Sequence, residues 1–344
     1  MIRNLIEEVA LDFDDVLIRP EVSTINSRSL VNLEITYRTP WSNRIIKGIP
    51  IISANMSSVS SFRMADTLSS RHMFCALHKF YDINEINKKF EESDKKFHDH
   101  TFITFGINDK DKLNQLSFTP SLINLDVAHG GMVSFTNFVK DVRNKFPDSV
   151  IMAGNVVTKT TTYNLFKSGA DIIKLGVGSG ANCITRTQTG VGIPQLTAIY
   201  NALDATEWDD RILVCSDGGI TKNGHFSIAF AAGAHFCMAG SMFAGHDECD
   251  MPVENGLVDH YGMSSTHAMN KHYGKKDNYR ASEGRYTKIP YKGSVDKTIE
   301  EMLGGIRSAC SYVGTDELQT ISSFATLQRV NHTHNTTLEK FTHE

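Results

Sequence analysis

Eight short apolar segments recur along the chain, and longer segments with helical spacing of apolar residues separate them. The apolar segments cover 49–54, 72–78, 101–106, 121–128, 149–156, 171–178, 211–219 and 235–241. Near-continuous apolar strands that alternate with helices pair in parallel and are buried on both faces. Segments 135–146 and 163–170 show the helical spacing. Eight such units predict an α/β fold, the (β/α)8 TIM barrel, with a doubly wound sheet as the alternative.

We expect one domain over 1–344, because no Pro- or Ser-rich linker divides the chain. Its core strands would span about 49–245, after an N-terminal extension of roughly fifty residues. A long segment follows the eighth strand, and its part over 246–293 is interpreted as an active-site insertion. The polar tail over 331–344 is a candidate for disorder.

Charge and hydropathy exclude several classes of partner. Lys and Arg number 35 against 39 Asp and Glu, for a net charge of −4, so we expect neither nucleic acid nor an anionic membrane surface as partner. There is no apolar run of the roughly 18 residues that a membrane-spanning helix needs, and the N-terminus lacks the apolar core of a signal peptide. We therefore expect a cytoplasmic protein.

The stretch GVGSGANCITR, residues 176–186, follows the sixth predicted strand. Its third glycine comes one position too early for a dinucleotide fingerprint. The glycines could instead surround a cation with carbonyls or let a substrate ring approach closely. Cys183 follows this turn, so it is either a nucleophile or an ordinary loop residue. Three other cysteines lie inside apolar segments, where a thiol usually packs as an inert hydrophobe: Cys75, Cys215 and Cys237.

Glycine-rich turns also follow the last two predicted strands, at 216–219 (SDGG) and at Gly240-Ser241. In barrels of this kind such turns commonly bind a phosphate through backbone N–H groups. Asp217 would repel a phosphate, so it is better placed to accept hydrogen bonds from ribose hydroxyls. The two turns together predict a phosphate-bearing ligand.

Ordered motifs over nearly the whole chain resemble those of the guanosine monophosphate reductases, within the group that includes inosine monophosphate dehydrogenase. The matching stretches are LDFDDVLIRPEVSTINSRS (11–29), IMAGNVVT (151–158), SGADIIKLGVGSGANCITRTQTGVGIPQL (168–196), SDGG (216–219), GSMFAGH (240–246), YGMSS (261–265), YRASEG (279–284) and LGGIRSACSYVG (303–314). The resemblance implies an NADPH-dependent reductive deamination of GMP to IMP and ammonia in purine metabolism.

The resemblance also assigns roles. It implies that Cys183 attacks purine C2 to form a thioimidate intermediate, while Thr185 and Glu283 handle the proton that ammonia needs. It implies a potassium ion held by the carbonyls of Gly178, Gly180 and Cys183, with Arg186 nearby.

Larger sets would bind the two nucleotides. The GMP contacts implied are Asp217, Gly218, Gly219, Gly240, Ser241, Gly262, Met263, Ser264, Arg280, Ala281, Ser282, Glu283 and Gly284. The NADPH contacts implied are Ser27, Arg28, Lys79, Asp126, Val127, Ala128, Val177, Gly178, Met263, Tyr279, Arg280, Ser308, Ala309, Cys310 and Ser311. Because Ser27 and Arg28 would come from a neighbouring subunit, the resemblance implies a homo-oligomer, namely a tetramer.

The chain departs from the usual family pattern at several places. Ser57 stands where an aspartate is usual, Phe80 replaces a histidine, and His129 replaces an asparagine. The changes at Phe80 and His129 leave the choice between NADPH and NADH open, and the rewritten segment 247–257 leaves open a preference for ribo- or deoxyribonucleotides.

Two other functions stay open as alternatives. One is an IMP dehydrogenase without the regulatory insertion, although the pair Arg285-Tyr286 is interpreted as incidental and not as that enzyme's flap. The other is a catalytically silent homologue that binds purine nucleotides, against which the retained Cys183 argues.

Overall fold

The structure, a computed structural model, describes residues 5–274 and 281–331. The strands are β1 (Val16–Arg19), β2 (Ile35–Arg38), β3 (Ile45–Gly48), β4 (Ile51–Ser53), β5 (Phe74–Ala76), β6 (Thr101–Phe105), β7 (Leu122–Asp126), β8 (Val150–Val156), β9 (Ile172–Leu175), β10 (Leu213–Asp217), β11 (Phe236–Ala239), β12 (Val253–Glu254), β13 (Leu257–Tyr261), β14 (Tyr286–Pro290) and β15 (Thr326–Arg329). The helices are α1 (Phe62–Ser70), α2 (Ile83–Glu92), α3 (Lys95–His100), α4 (Lys110–Asn114), α5 (Val133–Lys145), α6 (Lys159–Lys167), α7 (Thr185–Thr189), α8 (Gln195–Leu203), α9 (Asn223–Ala231), α10 (Thr266–Tyr273), α11 (Asp296–Val313) and α12 (Ile321–Phe324).

The expected (β/α)8 barrel is confirmed, and the doubly wound alternative is wrong. Strands β4 to β11 are parallel in chain order, and β11 pairs with β4 through Met238 and Ile52 to close the barrel. Each of the eight apolar segments contains one of these strands. Each strand is buried on both faces, which is why these segments are continuously apolar instead of alternating.

The N-terminal extension contributes to the barrel interior. Strands β2 and β3 form an antiparallel hairpin, and its Ile35 and Ile46 join the interior cluster that contains Leu122 and Val150, where β7 and β8 begin. The hairpin therefore covers the N-terminal end of the barrel. The opposite end, where the strands finish, is left for the loops that carry the candidate site.

Local signals start and stop the helices around the barrel. Asp82 begins α2 with a capping box whose other member is Glu85. Gly314, in the left-handed region at φ 84°, ends α11. Among the described helices, none combines the length and apolar character needed to cross a membrane.

The segment after β11 adds structure above the barrel. Strands β12, β13 and β14 form a small antiparallel sheet, and α10 lies between β13 and β14 in the chain. Residues 275–280 lie outside the described part of this segment, and so does all of the predicted tail except residue 331.

Candidate active site

Cys183 lies in the loop after β9, at the end of the barrel where the strands finish. It is the one half-buried cysteine of the six; the others are buried and all six are free thiols. Burial raises the pKa of Cys75 and Cys310 to about 12 and that of Cys249 to about 11. The five buried thiols are thus kept protonated and inaccessible, which leaves Cys183 as the candidate nucleophile.

Three side chains form a hydrogen-bonded chain at this position. The Cys183 thiol donates to Thr185 Oγ1 at 3.0 Å, and the Thr185 hydroxyl donates to Glu283 Oε2 at 2.7 Å. Each group is within proton-transfer distance of the next. The arrangement can move a proton from the sulfur to a carboxylate and return it to a leaving group.

Backbone pairing brings the insertion to the cysteine loop. The Ile184 N–H donates to the Glu283 carbonyl at 2.8 Å, and the Arg285 N–H donates to the Asn182 carbonyl at 2.8 Å. Cys183 and Gly284 are therefore opposite each other in a short antiparallel bridge. This pairing fixes the carboxylate of Glu283 beside the loop that carries the thiol.

Other predicted substrate residues of the insertion pack on the same bridge. The Gly262 N–H donates to the Arg285 carbonyl at 2.9 Å, and the Glu283 N–H donates to the Ser264 carbonyl at 3.2 Å. The Ser282 hydroxyl accepts the Thr266 N–H at 3.2 Å. The predicted contacts Met263 and Ala281 belong to these two segments, whereas Tyr279 and Arg280 lie outside the described residues.

The 216–219 turn lies against the loop that carries Cys183, and the Gly240-Ser241 turn lies beside the 216–219 turn. A Cβ on Gly176 would lie 2.1 Å from the Asp217 carbonyl oxygen, and a Cβ on Gly218 would lie 2.7 Å from Ser179 Oγ. The Ser241 hydroxyl donates to the Ile220 carbonyl at 3.2 Å. Both Cβ distances are too short for a side chain, and φ is positive at both positions. Only glycine therefore fits at 176 and 218.

Asp217, Gly218 and Gly219 and the pair Gly240 and Ser241 therefore share one mouth with Cys183. The predicted nucleophile and the predicted nucleotide-binding turns thus lie at the same end of the barrel, and their individual roles stay predictions.

Two residues that the sequence interpretation did not select lie beneath this mouth. Lys174, only 1% exposed, donates to Asp126 Oδ1 at 2.6 Å and to Asp217 Oδ2 at 2.9 Å. It also donates to Asn155 Oδ1, and Asn155 Nδ2 donates to Asp217 Oδ2 at 2.9 Å. The sequence signal that could have identified this cluster is the lysine within the apolar segment 171–178, because a buried charge requires partners.

The ion pairs set the charge states of this cluster. Burial alone would lower the pKa of Lys174, but Asp126 and Asp217 outweigh it and raise that pKa above its usual range. Burial alone would raise the pKa of Asp126, yet Lys174 holds it below its usual value, and Lys79 adds to the effect. Lys174 and Asp126 are therefore both charged at neutral pH.

The predicted cofactor residues fall in two places. One group lies at the C-terminal ends of barrel strands, in the loops that follow them, or in the insertion: Lys79, Asp126, Val127, Ala128, Val177, Gly178 and Met263. Ser308, Ala309, Cys310 and Ser311 lie on α11, and the Arg28–Leu30 turn that begins at Ser27 packs against that helix. In the described part of the chain, no hydrogen bond joins this second group to the Cys183 relay.

The residues implied for a potassium ion form a tight turn. The Gly180 carbonyl accepts the Cys183 N–H at 2.9 Å, and the Arg186 carbonyl accepts the Gly190 N–H at 3.0 Å. The Arg186 guanidinium donates to the Ile193 carbonyl and to Asp12. The described residues contain no cluster of three His, Cys, Asp or Glu side chains fit to hold a metal. Backbone oxygens, which suit a weakly hydrated monovalent cation, are the donors available here.

Two of the three residues that depart from the family pattern, Ser57 and Phe80, contact α10. The His272 ring stacks on Phe80 with a centroid distance of 3.7 Å, and its Nε2 lies 2.9 Å from Ser57 Oγ. The Ser57 N–H also approaches Met263 Sδ at 3.4 Å. Burial and Lys271 lower the pKa of His272 to about 4, so this ring is neutral at pH 7. The two departures thus join the insertion to the barrel.

Comparison with known proteins agrees with the motifs. Residues 10–343 match the IMP dehydrogenase / GMP reductase domain. GMP reductase 1 of Mus musculus is 47% identical over 338 residues, which cover 96% of this chain and 97% of that protein. GMP reductase 1 of Homo sapiens is 46% identical with the same coverage. GMP reductase of Buchnera aphidicola subsp. Schizaphis graminum is 42% identical over 344 residues, 97% of this chain and 98% of that protein. The resemblance inferred from the motifs is thereby confirmed: the chain is an oxidoreductase and belongs to the IMP dehydrogenase / GMP reductase family.

Proposed function

We propose that this protein is an NADPH-dependent GMP reductase that converts GMP to IMP and ammonia in the cytoplasm, as a step of purine nucleotide interconversion. The observation that carries the proposal is the relay from the Cys183 thiol through Thr185 to Glu283. The names of the similar proteins, GMP reductase from mouse, human and Buchnera, support the choice of substrate.

In the first step Cys183 Sγ attacks C2 of the bound guanine. The S–C2 bond forms and the bond from C2 to the exocyclic nitrogen breaks, which leaves a thioimidate. The thiol proton passes through the Thr185 hydroxyl to Glu283 and then to the departing amine, so the nitrogen leaves as ammonia. An unprotonated amide ion is a very poor leaving group, and a positioned acid contributes about 10²- to 10⁴-fold to the rate.

In the second step C2 is reduced. Lys79, Asp126 and Met263 are among the residues predicted to hold NADPH, which would supply a hydride to C2 when bound. The S–C2 bond then breaks, Cys183 regains a proton, and IMP results. The half-buried position of Cys183 fits this step, because the sulfur must be accessible to the purine on one side and shielded from water on the other.

The oligomer and the cation belong to the same proposal. We place Ser27, Arg28 and the 308–311 group against the cofactor of a neighbouring subunit in a homotetramer, because the Arg28–Leu30 turn packs against α11, which carries 308–311. We place a potassium ion among the carbonyls of Gly178, Gly180 and Cys183, where its role would be to hold the cysteine loop.

One absorbance assay separates the candidate functions. The protein is incubated with GMP and NADPH, and separately with IMP and NAD, while the reduced cofactor is followed. Loss of NADPH in the first mixture supports the proposal. Reduction of NAD in the second would assign an IMP dehydrogenase, and no change in either mixture would assign a silent nucleotide-binding homologue. Replacing NADPH by NADH, and GMP by dGMP, tests the two preferences that the sequence leaves open.

A further inference from the structure

Lys174 connects the ends of four barrel strands. It lies on β9, and its ammonium donates to Asp126 at the end of β7, to Asn155 near the end of β8, and to Asp217 at the end of β10. An ammonium has three N–H donors, and here all three are used. All four residues lie within strands of the barrel.

The network holds Asp217 in one orientation. Its Oδ2 accepts from both Lys174 and Asn155, at 2.9 Å each. Its other oxygen, Oδ1, accepts no hydrogen bond from the residues that the structure describes, and the side chain is 20% exposed. One carboxylate oxygen is thus fixed by the protein while the other faces the mouth. Asp126 is held in a similar way through Oδ1 and is 27% exposed.

The two carboxylates also depend on the cation between them. Both lie within hydrogen-bonding distance of a single nitrogen, so without its charge they would repel each other in a partly buried site. Loss of the charge would displace both side chains at once, because each is anchored to the same atom.

We propose that Lys174 is a positioning residue shared by the two nucleotide sites: it sets Asp217 for the ribose of GMP and Asp126 for the dinucleotide. The inference rests on the proposed function, which supplies the identity of the two ligands. It goes further by coupling the two sites through one buried side chain that contacts neither ligand.

The test compares four variants with the wild type as the full-length protein. Lys174→Met keeps the length and removes the charge, so we expect the GMP Kd measured by calorimetry and the KM for NADPH each to rise about tenfold or more. The kcat at saturating concentrations of both should fall less than either constant rises. Asp217→Asn should raise mainly the GMP Kd, and Asp126→Asn should raise mainly the KM for NADPH.

A merely structural role would lower the melting temperature and the active fraction without moving these constants. Unchanged GMP Kd and NADPH KM in folded Lys174→Met, or a change in only one of them, would overturn the inference. Lys174→Arg keeps the charge and should restore part of both affinities. If Lys174→Met does not fold, Lys174→Arg takes its place in the test. The planar guanidinium should alter both the GMP Kd and the NADPH KM several-fold. Two unchanged constants in Lys174→Arg would then overturn the inference.

The outcomes for the proposed function are separate. If the wild type turns over GMP and the Lys174 variants show unchanged constants, only the role of Lys174 is overturned. Absence of GMP binding and turnover in the wild type would overturn the proposed function and this inference with it.

Discussion

Thr185 Oγ1 donates a 2.7 Å hydrogen bond to Glu283 Oε2, although 98 residues separate the two in sequence. Their contact depends on the bridge between Cys183 and Gly284, which brings the insertion down onto the loop after β9. The proton relay is therefore assembled by a backbone pairing. Disturbing either the hydroxyl or the pairing should affect chemistry more than substrate binding.

Removing the hydroxyl tests the relay itself. Thr185→Val keeps the shape of the side chain but breaks both hydrogen bonds, so we expect kcat to fall by about 10²- to 10⁴-fold with little change in the GMP KM. Adding Glu283→Gln should lower kcat little further, because both residues act through one path. Thr187→Val is the control, because Thr187 is an exposed threonine on the same helix α7. This variant should retain the wild-type kcat.

Replacing the nucleophile separates binding from catalysis. We expect Cys183→Ser to abolish turnover but to keep the GMP Kd within a few-fold of the wild type. The reason is that the predicted phosphate and ribose contacts lie at the ends of β10 and β11 and in the turns that follow, whereas Cys183 follows β9. Calorimetry with GMP and the absorbance assay measure the two quantities. Turnover at a substantial rate in this variant would exclude covalent catalysis by Cys183.

Gly284 tests the backbone bridge. A Cβ there would lie 2.7 Å from Ser265 N and 3.1 Å from the Gly262 carbonyl oxygen, so Gly284→Ala should push the Glu283 segment away from the cysteine loop. We expect kcat to fall at least tenfold while the protein stays folded, as judged by its melting temperature. Gly224→Ala is the matched control, because nothing lies within 4 Å of its added Cβ. Equal kcat in the two variants would contradict the packing argument.

Histidine burial predicts how stability depends on pH. Burial lowers the pKa of His235 to about 4, whereas an unfolded histidine titrates near 6.5. Between these values the unfolded chain takes up a proton that the folded protein refuses. The free energy of unfolding should therefore fall as the pH drops from about 6.5 to 4, by up to about 1.4 kcal/mol per pH unit for this group.

The melting temperatures at pH 7.5 and 5.0 measure the effect. His235→Asn keeps an acceptor for the Val214 N–H, which the ring nitrogen accepts at 3.2 Å, and should lose less stability on acidification than the wild type. His129→Asn, at an exposed position, should show the same loss as the wild type. Equal losses in the two variants would rule out a contribution from His235.

The barrel could be predicted from sequence because parallel strands buried on both faces are continuously apolar, as 149–156 and 235–241 illustrate. The position of Cys183 followed from the same reasoning, since loops after barrel strands meet at one end. Glu283 could not be found in this way. From the residues alone it is an exposed loop carboxylate, and only the family resemblance singled it out.

Lys174 was missed for a related physical reason. Its segment fits a buried strand, and the partners that make a charge tolerable there come from three other strands, at Asp126, Asn155 and Asp217. Pairing across a barrel depends on strand register, which a single sequence does not specify. The contact of His272 with Ser57 and Phe80 likewise depends on how the insertion folds back on the barrel.

The most direct test of the account is to identify the covalent intermediate. The enzyme is incubated with GMP and the oxidised cofactor, which supplies no hydride, then quenched with acid, digested and examined by mass spectrometry. We predict a purine ribonucleotide attached to the peptide that contains Cys183, with no adduct in Cys183→Ser. Active enzyme that carries no adduct under these conditions, or an adduct on a different residue, would contradict the central claim that this sulfur bonds to C2 of GMP.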